Sequence, residues 1–105
     1  MAESLYFLCR LIPPRADFMT TMTPDERGMM QAHVGYWSSK VATGNALAFG
    51  PVADPRGGYG IGIVRVNDAA EMEALRAADP AMRSNVGFSY EVLPMPRLVM
   101  AGLST

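Results

Sequence analysis

The stretch Asn45-Ala-Leu-Ala-Phe-Gly-Pro-Val-Ala-Asp-Pro-Arg-Gly-Gly-Tyr-Gly-Ile-Gly-Ile-Val-Arg-Val66 decides the fold. Asn45–Val52 is apolar, Asp54-Pro55-Arg56-Gly57-Gly58 is a dense turn signal, and Tyr59–Val66 alternates Gly with Ile and Val before the charged break at Asp68. Two short β-favouring runs on either side of such a turn predict a β-hairpin. Gly57-Gly58-Tyr59-Gly60-Ile61-Gly62 also has the look of a nucleotide loop. It leads into a strand, however, so no helix N-terminus waits there for phosphate, and hairpin geometry is the better reading.

Upstream, Leu5–Ile12 is an apolar run ended by Pro13-Pro14, as expected for a largely buried first strand. Residues 13–22 read as a loop. Thr23-Pro24-Asp25-Glu26 then supplies an N-cap, a proline at the first helical position and a glutamate at the third. The predicted helix runs to Gly44, a natural left-handed cap, with Met30, Val34, Trp37 and Val41 as its apolar stripe. Downstream, Asn67 or Asp68 caps a second helix through Ala78, with Pro80 as its stop. Gly87–Leu93 is the last strand, and Leu98–Leu103 is an edge segment or a tail. The order β-α-β-β-α-β is the ferredoxin-like arrangement, an α+β fold with two helices on one face of an antiparallel sheet. Phe7, Ile61, Ile63 and Tyr90 are expected on the other face, where the simplest cover is a second copy of the chain.

At 105 residues, half of them apolar, the chain suits one domain, with a core over about 4–95 and a tail over 96–105. Nine basic against ten acidic residues, with no cationic run, speak against nucleic-acid binding. Cys9 has no second thiol, and His33 is the only histidine, so neither a disulfide framework nor a metal site is expected. The N-terminal run carries Glu3 and Arg10, which fits neither a signal peptide nor a membrane span, and a cytoplasmic location is expected. The nine methionines read as core packing.

His33 lies roughly 70° from the centre of the apolar stripe, at the rim of the buried face. A rim histidine is either a bystander or a functional group. Asp79 follows Leu75 by four and Met72 by seven, so it projects from the apolar side of the second helix, at an end where the macrodipole disfavours an anion. A cation from the neighbouring helix, His33 or Arg76, would offset both costs; alternatively Asp79 only caps a turn before Pro80. Paired with Asp79, His33 would have a fixed tautomer and could move protons near neutral pH. None of Ser38, Ser39, Ser84 and Ser89 has the context of a nucleophile.

Ala32-His33 on the first helix, Gly44-x-x-Leu47-x-x-Gly50-Pro51 on the following strand and Ala78-Asp79-Pro80 before the last strand fall in an order that resembles the YciI-like (YCII-related) proteins, over residues 5–95. The resemblance implies a dimeric α+β barrel of ferredoxin-like subunits and a site in which His33 pairs with Asp79. One activity of that family is a lyase-type removal of chloride from a chlorinated hydroxyhydroquinone by acid/base chemistry, without metal or cofactor. The chain departs from the family pattern at Met30, where an arginine often stands, and at Gly87, a glycine that comes late after Asp-Pro.

The leading expectation is a small cofactor-free enzyme of lyase or hydrolase type. In it His33 moves a proton on a small organic substrate, Asp79 orients His33, and Tyr36, Trp37 and Phe49 line the pocket. The alternative is a catalytically silent homodimeric module for a small ligand or a partner protein, with His33 and Asp79 as a structural pair. A cofactor-independent monooxygenase rests on fold analogy alone.

Overall fold

The computed structural model describes residues 4–102. Strands β1 (Leu5–Ile12), β2 (Ala46–Val52), β3 (Tyr59–Val66) and β4 (Ser89–Met95) form one antiparallel sheet in the order β2-β3-β1-β4. Helices α2 (Pro24–Thr43) and α3 (Ala69–Ala78) lie on one face, joined by the single-turn helices α1 (Phe18–Thr21) and α4 (Pro80–Arg83). This is the ferredoxin-like order expected from the hairpin.

Local chemistry sets the helix ends. Thr23 and Glu26 form a full capping box at the start of α2, and Gly44 closes it in the left-handed region at φ 85°. Asp68 caps α3 by accepting from the Glu71 amide at 2.8 Å.

Register fixes the two faces of the sheet. Phe7, Cys9 and Leu11 stand opposite Val64, Gly62 and Gly60 on the helix-covered side, and Cys9 and Leu11 also oppose Val92 and Tyr90. Leu8, Arg10, Ile61, Ile63, Glu91 and Leu93 point the other way, because successive side chains alternate. The expected open face is therefore half right. Ile61 and Ile63 lie on it, whereas Phe7 and Tyr90 pack against the core. A register shift between Ala46 and Ala48 lets Ala46 and Phe49 both face the helices.

Two further expectations are corrected. Residues 13–22 are not all loop: Asp17 O accepts from the Thr20 amide at 3.0 Å, starting a turn of helix that seats Phe18 edge-on against Phe88 in the core. On α2, Val34 and Val41 are exposed, and the buried residues are His33 and Trp37. The stripe is thus turned toward the histidine, whose partner lies in the core. Pro80 ends α3 but opens α4, since its fixed φ suits the first position of a new helix. Of the two readings of Leu98–Leu103, an edge segment or a tail, the described residues fit the tail, since no further strand follows Met95 among them; Leu103 lies outside them.

Candidate active site at the α3–α4 corner

Asp79 is where two helices meet. The proline that follows holds its backbone extended, at φ −62° and ψ 128°. Its amide closes α3 on Arg76 O at 3.3 Å, and its Oδ1 caps α4 by accepting from the Ala81 amide at 2.8 Å. The carboxylate is fully buried and accepts three more donors. His33 Nδ1 lies 2.9 Å from Oδ1 and 3.0 Å from Oδ2, Trp37 Nε1 donates to Oδ2 at 2.8 Å, and the Tyr90 hydroxyl donates to Oδ2 as well. Capping and pairing, posed as alternatives from the sequence, occur together.

Burial pushes the Asp79 carboxyl up, but the hydrogen bonds from His33, Tyr90, Trp37 and the Ala81 amide outweigh it and hold the group below its ordinary value. An ionised carboxylate only accepts, so His33 Nδ1 carries the proton of that bond, and Nε2 is the ring nitrogen left to take up or give a proton. Burial, reinforced by the hydrogen bond to Asp79, pushes the Tyr90 phenol far up, and it stays a donor.

Of the two partners expected for Asp79, Arg76 pairs with Glu73 instead, and His33 is the one that reaches it. Tyr36 also departs from expectation. Its hydroxyl donates to Leu75 O at 2.7 Å and its ring stands edge-on to Trp37, so it ties α2 to the end of α3 and is not on the cavity wall.

That wall encloses about 250 Å³ between α2, α1 and the covered face of β1, β2 and β3. His33, Trp37 and Phe49 line it, as do Cys9, Tyr90, Gly60 and Gly62. Three methionines expected in the core, Met19, Met22 and Met30, form one side. Cys9 makes a poor nucleophile, because burial pushes its thiol up to about 12. Among the described residues no three His, Cys, Asp or Glu side chains gather as metal ligands, and no helix is long and apolar enough to cross a membrane.

A model of the YCII-related domain matches residues 7–96. The chain belongs to the YCII-related family. No curated protein matches it significantly. Within this YCII-related chain, sequence reasoning missed Tyr90 as a partner of Asp79. The signal was there, since Tyr90 alternates in phase with Phe88 and Val92, but which side of β4 faces the helices is fixed only by pairing with β1.

Proposed function

We propose that this protein is an acid/base enzyme of lyase or hydrolase type acting on a small organic molecule in the cavity beside His33. The observation that carries the reading is the division of labour on one imidazole: Nδ1 is saturated by a buried, ionised Asp79, while Nε2 has no partner among the described residues and belongs to a ring on the cavity wall. In an elimination, Nε2 takes the proton from a substrate carbon, the C–H electron pair becomes the new π bond, and the leaving group departs with its own bonding pair. In a hydrolysis the same nitrogen takes a proton from the attacking water, whose oxygen bonds the substrate carbon while the leaving group departs with its bonding pair and takes the proton back from the imidazolium. Asp79 stabilises the imidazolium that either step creates.

The test is turnover on a panel of small neutral aromatic and carbonyl compounds bearing a leaving group. His33→Asn should lower the rate by about 10²–10⁴ with little change in melting temperature. Equal turnover by the variant would sink the assignment. A large loss of stability, with no turnover by either protein, would favour the pair as purely structural.

We propose further that two copies pack through the open face of the sheet, where Leu8, Ile61, Ile63 and Leu93 lie together and Leu93 is half exposed. Sedimentation should give a dimer that Leu93→Lys converts to monomer; a wild-type monomer at tens of micromolar would refute it.

A further inference from the structure

Gly60 stands on the helix-covered side of β3, between Leu11 on β1 and Pro51 on β2. A Cβ at this position would meet only the Leu11 Cβ, at 3.5 Å, which is an ordinary contact. No left-handed φ requires glycine there either. Gly62, two residues on, is different: a Cβ there would touch Phe49 Cβ and Trp37 Cζ3, both at 3.8 Å, so the indole already roofs that part of the strand. Gly60 therefore serves neither a turn nor a tight backbone approach. What it contributes is empty volume at the floor of the cavity.

The remaining wall decides the chemistry of an occupant. Among the described residues no Lys, Arg, Asp or Glu side chain lines the cavity. Trp37 Nε1 and the Tyr90 hydroxyl are both committed to Asp79, the Cys9 thiol faces Met72 Sδ, and Tyr59 alternates with Ile61 and turns its ring to Arg10 on the other side of the sheet, so His33 Nε2 is the side-chain polar atom on this wall left for a ligand. The Asp79 charge lies behind the wall, where a second anion would be repelled in a medium of low polarity and would lack a counter-ion. Met19, Met22 and Met30 offer polarizable contacts suited to ring edges. The volume, about 250 Å³, exceeds the roughly 150 Å³ of an apolar cavity that holds benzene.

We infer that the cavity takes a neutral, largely apolar molecule about two rings in size with one hydroxyl directed at His33 Nε2, and that Gly60 determines how large a ring system fits. This rests on the cavity being the binding site of the proposed enzyme, but it is a statement about binding and is tested without turnover. Calorimetric titrations with 1-naphthol, 1-naphthoate and phenol should show 1-naphthol binding at least about tenfold more tightly than 1-naphthoate. Gly60→Leu should weaken 1-naphthol at least about tenfold while changing phenol by less than about threefold, and Gly60→Ala should fall between. The imidazole NMR signals of His33 report whether each variant keeps its fold and its Asp79 pair; if Gly60→Leu does not fold, Gly60→Ala carries the comparison alone. Equal or tighter binding of 1-naphthoate, undiminished binding of 1-naphthol by the folded glycine variants, or no saturable binding of 1-naphthol would each overturn the inference. The catalytic role of His33 would still be judged separately, by the turnover of His33→Asn.

Discussion

Two carboxylates hold the two helical corners of this protein, and they work in opposite settings. At the α1–α2 corner, Glu26 completes the capping box on Thr23 and takes both Arg15 Nη atoms, at 2.9 and 2.8 Å. At the α3–α4 corner, Asp79 caps α4 and takes donors from His33, Trp37 and Tyr90. Both are held below their ordinary pKa, Glu26 at about 2, chiefly by the Arg15 hydrogen bond. The difference lies in the partner and the solvent. Arg15 is a permanent cation beside water, so its pair can only clamp. His33 can take or release a proton, and its carboxylate is sealed from water on the far side of an apolar cavity. Donor-rich carboxylates are thus common to both corners, and a titratable partner on a cavity wall distinguishes the candidate site.

Removing the buried member should have the largest effect. Asp79→Ala strips four donors of their acceptor, and equilibrium denaturation should show a loss of about 3–5 kcal/mol; a loss like that of a surface substitution would erase the distinction between the corners. Tyr90→Phe removes one of the donors to Asp79 and should cost about 1–3 kcal/mol, with a shift of the His33 ring signals that a substitution of Thr43 on the far end of α2 would not produce. The acid limb of stability sharpens the comparison further. As pH falls below about 5, the unfolded chain takes up protons on carboxyls that the native protein keeps ionised, so stability falls with added acid. Glu26→Gln preserves the capping hydrogen bonds but removes a group lowered from its ordinary value to about 2, so it should flatten that fall between the ordinary glutamate pKa and about 2. Denaturation midpoints at a series of pH values measure this, and an unchanged slope would mean that the Arg15 pair is too well solvated to matter. This is the smallest of the expected effects.

The structure also separates what could be read early from what could not. The capping box at Thr23–Glu26, the left-handed Gly44 and the hairpin turn at Asp54–Gly58 are local hydrogen-bonding and φ preferences, legible in a few residues each. A hydropathy stripe sets the phase of α2 by valine in preference to histidine, whereas the fold buries His33 against an acceptor 46 residues away and leaves Val34 exposed. Likewise Tyr36 and Trp37 are neighbours of equal promise in the sequence; only Trp37 turns its polar edge to Asp79, while Tyr36 reaches Leu75.

The sequence by itself determined the order of strands and helices, the ends of the two long helices and the prospect that the lone histidine would find Asp79, because each depends on local chemistry or on a periodic pattern. Only the tertiary structure decided which side of each strand is covered, that Tyr90 and Trp37 complete the carboxylate's shell, and that Gly60 leaves a cavity beside His33. Those depend on the register between strands distant in the chain, where a shift of one residue exchanges the two faces of the sheet.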